Sequence, residues 1–452
     1  MATDTSDSTL PLADIQGFIL RGYNMATVRH FILRVDCADA VKKFIGNLVS
    51  GDEKTSPQIT SAAQWEKKPT YCLNIGFTYR GLESLNLQDG FYFNPKHFEP
   101  FIDGAAARSK NLGDTGENAP ENWRGKLGTD ETHILLTVHA QDCNVLEAIS
   151  ENLRLLFSQG GAIHELSHFD GAQLPDQKVH FGYQDGIAQP TIAGVPSAQK
   201  LPDKQSIIPA YRFVLMDDPS RTPYYDIPTP RQLGLNGSFV ALRVLEQDVV
   251  GFEKFLQEQA GKIPPETLAA KLCGRWRNGV PLDLSPDTDT SMDNDQLNNF
   301  DYVGDRAGIR CPVGSHIRRT NPRSSQVQGG SVGLHRIVRR GIPYGPPYDA
   351  NLPYDGLERG LLGMFICARL DLQFEFVMTE WVNKGEFSGY LQPTSKDPLI
   401  GNNSSESSVF DIPTSDERLS LKLSGFQQFI KTRGGAYCFL PSISALKYMA
   451  TH

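Results

Sequence analysis

Four stretches of this chain share one grammar. Each opens on an apolar run rich in β-branched and aromatic residues, breaks at a polar or acidic position, and continues with apolar residues at helical spacing. The first runs from His30 to Asp36 and is followed by Val41, Phe44, Ile45 and Leu48. The second runs from Thr132 to Val138 and is followed by Leu146, Ile149, Leu153 and Leu156. The third, Ser238 to Val244, leads to Phe252, Phe255 and Leu256, and the fourth, Met364 to Ala368, to Phe374, Val377, Met378 and Trp381. Apolar positions at i, i+3, i+4 and i+7 predict helices, and the runs before them predict strands.

Two such strand–helix units in each half predict a duplicated α+β plan, with the split βαβ or ferredoxin-like arrangement as the natural candidate. Its antiparallel sheets would each bury one face under helices. The Pro- and Lys-bearing stretch from Val195 to Lys204 marks the expected boundary, giving domains 1–200 and 201–452. Irregular segments are expected from Met216 to Gly234, Asn278 to Asn299 and Gly401 to Arg418, where long loops are usually functional or mobile. The acidic run Asp287 to Asp293 lacks the glycine and terminal glutamate of an EF-hand, so it reads as a solvated loop.

With 452 residues, 39% hydrophobic and 21% charged, the chain is an ordinary globular protein with room for a large core. A net charge of −8 argues against nucleic acid as a partner. No apolar run reaches the roughly 20 residues of a membrane span. The first nine residues lack the basic start and apolar core of a signal peptide. The chain is then expected to be either intracellular or a mature form with an added Met1. Seven cysteines are widely spaced with no Cys-x-x-Cys pair, which favours buried free thiols over a disulfide framework. Glycosylation patterns at Asn236, Asn402 and Asn403 lean towards secretion.

Three segments carry the candidate chemistry: Gly182 to Gly186 (Gly-Tyr-Gln-Asp-Gly), Cys311 to Arg323, and Val338 to Gly345. An acid in a glycine-flanked turn, a histidine among arginines and a separate arginine pair are parts suited to holding haem iron and breaking a peroxide. A carboxylate can carry a proton between two oxygens as base and then acid, a fixed cation stabilises charge on a leaving oxygen, and a neutral imidazole ligates iron. Each part has an ordinary reading as well. Asp-Gly is a common turn dipeptide, and most histidines are surface or core residues.

Together the segments closely resemble the dye-decolorizing peroxidase family, with its Gly-x-x-Asp-Gly signature. The resemblance extends from Asp14-Ile15-Gln16-Gly17 to Pro441-Ser442. It implies two ferredoxin-like domains, with one haem b held mainly by the C-terminal one. It further implies reduction of hydrogen peroxide and single-electron oxidation of dyes, phenolics and other aromatic donors through a ferryl haem. Residue by residue it implies His316 as axial ligand, Asp185 as distal acid and Arg339 as distal cation. Arg318 and Arg323 would pair with propionates, and Ile187 and Gln189 would line the cofactor. Arg340 is left to a propionate or a surface ion pair. Asp397 is the candidate partner for the second nitrogen of His316. Tyr344 and Trp381 match positions of surface electron transfer, although Trp381 also falls on the apolar line of its helix. Gly363 departs from the family's plainer Leu-Leu-Phe, leaving open which of Leu362, Met364 and Phe365 faces peroxide; a methionine there would be oxidisable. An extracellular location is expected, with a cytoplasmic one as the alternative.

Two rivals compete. His164-Glu165-Leu166-Ser167-His168 is a literal His-Glu-x-x-His, which binds zinc when both histidines share a helix face. The third histidine of the extended form would fall at Leu174, and the surrounding glycines suggest a hairpin arm instead. The second rival is a non-catalytic haem carrier of the same fold.

Overall fold

All four predicted strands pair into one eight-stranded antiparallel sheet. The structure, a computed structural model, describes residues 10–51, 56–161, 163–196, 203–218, 220, 225–325, 327, 330–349, 355–386, 396–415 and 419–452. Residues 1–9 and the centre of the expected boundary, 197–202, lie outside these. The strands are β1 (Thr27–Val35), β2 (Tyr71–Phe77), β3 (Ile134–Ala140), β4 (Ile163–Ala172), β5 (Ser238–Gln247), β6 (Val338–Tyr344), β7 (Gly360–Cys367) and β8 (Ile430–Leu440). Their spatial order is β4-β1-β3-β2-β8-β5-β7-β6. Each half therefore repeats the order fourth-first-third-second, which makes the fold α+β with two ferredoxin-like units. One residue pair, Phe77 with Phe439, joins them.

At the far edges β4 and β6 approach each other. A Cβ on Gly171 would stand 2.5 Å from Ile342 Cγ2 and 3.0 Å from the Pro343 carbonyl oxygen. The sheet thus curls towards a barrel, and its inner face is a continuous core through Val28, Ile32, Leu135, Val240, Met364 and Ile366. Burial on both faces explains the near-continuous apolar runs of these strands.

Helices cover the outer face. Ala38–Ser50 and Cys143–Ser158 pack over the first half, with Phe157 against both Phe31 and Phe44 at 5.6 and 5.7 Å between ring centroids. In two of the units the polar break is a cap: Asp142 accepts from the Val145 amide and Asp248 from the Gly251 amide, satisfying donors that a helix start leaves orphaned. Helix Val249–Glu258 follows β5 as expected. The fourth helix, 371–382, winds in wider π-type turns, with the Asn383 amide reaching back five residues to the Met378 carbonyl at 3.0 Å. Two expected loops are corrected: within 216–234, Arg231–Gly234 is a single helical turn, and within 401–418, Val409–Pro413 is a strand paired with Ser420–Ser424, both too short to register as a period.

His30 lies inside the barrel, 2% exposed, with Nδ1 2.9 Å from Thr137 Oγ1. Burial pushes its pKa down to about 4. The unfolded chain then binds a proton between about pH 6.5 and 4 that the folded chain refuses. Stability from this residue is complete above pH 6.5 and falls as pH drops towards 4, by on the order of 3 kcal/mol. Urea midpoints measured from pH 7 to 4 should show a correspondingly shallower decline in His30→Gln. An unchanged decline would mean that other groups govern acid lability.

Candidate active site

The Gly182–Gly186 turn is tied at its base by the Val179 amide to the Tyr183 carbonyl (2.9 Å) and the Gly182 amide to the Val179 carbonyl (2.7 Å). Gly182 and Gly186 have φ of +83° and +79°, a region that side chains disfavour. Tyr183 anchors the turn, its phenol donating to the Ala269 carbonyl at 2.8 Å. The exposed Asp185 is thereby laid over β6: its Oδ2 lies 3.5 Å from where a Cβ on Gly341 would stand. Gln189 then stitches the segment to the strand, donating to the Arg339 carbonyl (2.9 Å) and accepting from the Arg339 amide (3.1 Å). Arg339 Nη2 returns to the Ala188 carbonyl at 3.0 Å. Asp185 and Arg339 thus meet on one side of β6, because residues two apart on a strand share a face.

Strand alternation separates the arginine pair. Arg340 points the other way and donates to the Phe18 carbonyl at 3.0 Å, and it forms no ion pair with a carboxylate among the described residues. Pairing of β6 with β7 sets Arg339 opposite Phe365 and Arg340 opposite Met364. Half-buried Phe365 therefore shares the Asp185–Arg339 face. Leu362 and Met364 are core residues, 1% and 2% exposed. Met364, paired with Arg340, therefore lies off the Asp185–Arg339 face.

His316 opens the short helix His316–Thr320. Its Nδ1 is 2.8 Å from Asp397 Oδ2, and Asp397 Oδ1 accepts from the amides of Leu399 (2.9 Å) and Ile400 (3.1 Å). Burial by itself raises the Asp397 carboxyl, but the His316 interaction, the Ile400 amide and Arg319 hold it below the ordinary range. With Nδ1 engaged, Nε2 of His316 takes no partner among the described residues.

The two arginines expected near the cofactor fare differently. Arg318 is 1% exposed and spent on the protein: it pairs with Asp305 (3.1 Å), donates to the Cys311 carbonyl (2.7 Å) and lies 4.3 Å from the Tyr302 ring centroid. The cofactor contact expected of it is corrected to a structural ion pair. Arg323 donates to Asn298 Oδ1 (2.6 Å) and the Phe300 carbonyl (3.0 Å), 3.7 Å above the Phe300 ring. It belongs to a group that the sequence did not single out. Arg275, 5% exposed, stands across the same ring at 5.3 Å, with Nη2 buried and unpartnered. Burial together with Arg323 and Arg339 pushes Arg336 down to about 9 and Arg275 to about 10. None of Arg275, Arg323, Arg336 and Arg339 has a carboxylate partner among the described residues. Four cations so placed call for an anion. Arg275 and Arg336 follow no legible spacing, so only their shared lack of a counter-charge reveals them.

The remaining candidates divide. Ile187 packs where a Cβ on Gly279 would stand 2.5 Å from its Cδ1, against the cluster of Ala270, Trp276 and Leu282. Tyr344 is half-buried on the face opposite Arg339, its phenol donating to Glu358 at 2.7 Å. Trp381 is 0% exposed, boxed in by His335 and Phe376 at 5.1 and 5.5 Å. It is therefore a core residue and not a surface one, as its place on the apolar line of 371–382 allowed. The zinc motif lies on β4, where Glu165 is held by Arg154 and His168, each at 2.8 Å. No group of three metal-ligating side chains occurs among the described residues.

A family profile described as the DyP dimeric alpha+beta barrel domain matches residues 14–175. Peroxidase 2 of Mycetinis scorodonius is 30% identical over 99% of this chain and 89% of its own length. A multifunctional dye peroxidase of an Amycolatopsis species is 30% identical over 98% of this chain and 97% of its own. The crystal structure of a fungal DyP-type peroxidase from Auricularia auricula-judae covers 98% of this chain and 100% of that one, with 27% identity and a TM-score of 0.82. A dye-decolorizing peroxidase in complex with 2,6-dimethoxyphenol gives 27% identity, the same coverage and a TM-score of 0.81.

Proposed function

The chain belongs to the dye-decolorizing peroxidase family, and from that premise we propose which of its residues carry the reaction. It is a haem-dependent peroxidase that reduces hydrogen peroxide to water and oxidises dyes and phenolics in single-electron steps. The observation that carries the assignment of residues is the meeting of Asp185 and Arg339 on one face of β6, held by the paired hydrogen bonds of Gln189.

The site fits one haem b. His316 offers Nε2 to the iron, and Arg275, Arg323 and Arg336 offer cationic donors to the propionates, which supply the missing counter-charge. When bound, haem supplies an iron that takes both oxidising equivalents of peroxide and passes them on one electron at a time. Asp397 keeps the His316 proton on Nδ1 and fixes the ring, as such carboxylates do for metal-bound histidines. Asp185 takes a proton from one peroxide oxygen and delivers it to the other, which leaves as water. Arg339 faces the departing oxygen and stabilises its negative charge. Phe365, opposite Arg339 on the neighbouring strand, supplies an apolar side chain on the same face.

Large aromatic donors then give up electrons at the surface. Tyr344 is our candidate, since Glu358 can receive its phenolic proton as the electron leaves. Two further readings complete the proposal. The chain divides near residue 200, with Asp185 contributed by the N-terminal unit and His316 and Arg339 by the C-terminal one. The protein works outside the cell, a reading that rests on the family resemblance. No helix among the described residues is long and apolar enough to cross a membrane.

The visible spectrum of the haem-loaded protein, before and after one equivalent of hydrogen peroxide, tests the assignment. A ferric Soret band that shifts on peroxide addition and returns on adding a phenolic donor is expected. A band indifferent to peroxide would favour a haem carrier, and a protein that takes up no haem would overturn the whole reading. Arg336→Met gives a finer test with effects of opposite sign. Haem affinity, measured by Soret titration of the apoprotein, should fall roughly tenfold to a hundredfold, the worth of one charged hydrogen bond. The apoprotein itself should melt higher, because one of four mutually repelling cations is gone.

A further inference from the structure

One cross-strand row links the active-site face to a buried tyrosine. Arg339 on β6 lies opposite Phe365 on β7, Phe365 opposite Ala241 on β5, and Ala241 opposite Tyr437 on β8. Directly paired residues of antiparallel strands share a face, so Tyr437 stands on the same side of the sheet as Arg339, three strands away. Phe374 closes the gap above Ala241: its ring centroid is 5.3 Å from Phe365 and 6.0 Å from Tyr437. Aromatic contacts therefore run unbroken from the active site to Tyr437.

The phenol at the end of this path has an unusual partner for its depth. Tyr437 is 2% exposed, and its hydroxyl donates to Glu375 Oε1 at 3.0 Å. Glu375 is 5% exposed and held by Arg108, with Nη2 2.8 Å from Oε2 and Nε 3.2 Å from Oε1. Among the described residues no other buried tyrosine hydrogen-bonds to a carboxylate. Tyr23 donates to the Asn74 side-chain oxygen and Tyr183 to the Ala269 carbonyl, both at 2.8 Å. A phenol can lose an electron in a dry interior only if its proton has somewhere to go, because the cation left behind would be a buried unpaired charge. A carboxylate within hydrogen-bond reach is that destination. Arg108 balances it while it is ionised, and its further contacts with Glu99 (3.1 Å) and Asp103 (3.3 Å) keep the arginine compensated once Glu375 is protonated.

We infer that Tyr437 is an internal redox station that holds one oxidising equivalent away from the haem. The inference rests on the peroxidase reading above. One electron passes from Tyr437 through the Phe374–Phe365 contacts to the peroxide-oxidised haem. The O–H bond of Tyr437 breaks, its proton moves to Glu375, and a neutral tyrosyl radical remains. Re-reduction by a donor electron returns the proton to the phenol oxygen. Tyr437 lies three strands from Arg339, so its role is one of storage. The pairing also explains why a hydroxyl and a carboxylate are kept in a layer that apolar residues could fill.

Freeze-quench electron paramagnetic resonance of the haem-loaded full chain, mixed with one equivalent of peroxide without donor, tests this. The optical spectrum is followed in parallel. Wild type should give a tyrosyl signal, Tyr344→Phe should retain it, and Tyr437→Phe should lose most of it with the ferric Soret band unchanged. Glu375→Gln keeps an acceptor of the same shape but removes the base, so the radical yield should fall although the tyrosine remains. A Tyr437→Phe signal equal to wild type in amplitude and g values would overturn the station while leaving the peroxidase reading intact. A wild-type haem that ignores peroxide would overturn both.

Discussion

Asp185→Asn is expected to give a protein that still binds haem and reacts with peroxide roughly a hundredfold to ten-thousandfold more slowly, the usual span for a lost acid–base group. Asparagine nearly matches the shape of aspartate, so the turn between Gly182 and Gly186 and its bonds to Val179 and Ala269 should persist. What disappears is the ability to accept and return a proton at one atom. Stopped-flow rates of the peroxide-induced Soret change separate this from binding. The bimolecular rate should fall while the ferric spectrum and haem affinity stay as in wild type. If the rate were unchanged, proton transfer would have to be assigned elsewhere, and Arg339 would be left as a cation without an acid beside it.

The second large effect is expected at His316. Asp397→Asn keeps an oxygen within reach of His316 Nδ1 but removes the charge that polarises the imidazole. Replacing a carboxylate behind a metal-bound histidine commonly costs about tenfold to a hundredfold in affinity or activity. A less electron-rich ligand should also raise the ferric–ferrous midpoint potential. Asp397→Ala goes further, because the Leu399 and Ile400 amides, which now donate at 2.9 and 3.1 Å, are buried without an acceptor. Each orphaned donor costs about 1–3 kcal/mol, so this variant should also melt lower. Potentiometric titration of both variants checks the claim. A potential unmoved in Asp397→Asn would mean that the carboxylate only positions the ring.

Both predictions use residues that stood out in the chain, yet legibility was uneven. Asp185 lay between glycines whose positive φ the turn requires, and His316 lay in a dense run of arginines. The run itself misled about its members. Arg318 and Arg323 are five apart in a stretch with little regular structure, where no period tells which side chain faces a cavity. Arg318 turned to Asp305 and the Tyr302 ring, whereas Arg336, from another segment, joined Arg275 and Arg323. Trp381 and Tyr344 show the same limit. Membership of an apolar helix line foretold burial for the first, but the Glu358 partner of the second lies across a strand connection.

The sequence by itself determined the four strand–helix units, their duplication, and the polar breaks between strand and helix, because local periodicity and helix-end chemistry act within a few residues. It also marked the glycine-flanked acid, the histidine and the arginine pair as candidate chemistry, with Arg339 favoured within the pair by the family resemblance. Tertiary structure alone decided the rest. Strand register set Arg339 and Arg340 on opposite faces and put Phe365, not Met364, on the Arg339 side, since a shift of one residue reverses every side chain. Curling of the sheet brought β4 to β6, and packing gathered Arg275, Arg323 and the Arg336–Arg339 pair from three segments into one cluster. Those outcomes depend on pairings between residues tens to hundreds of positions apart, and no pattern within a single segment encodes them.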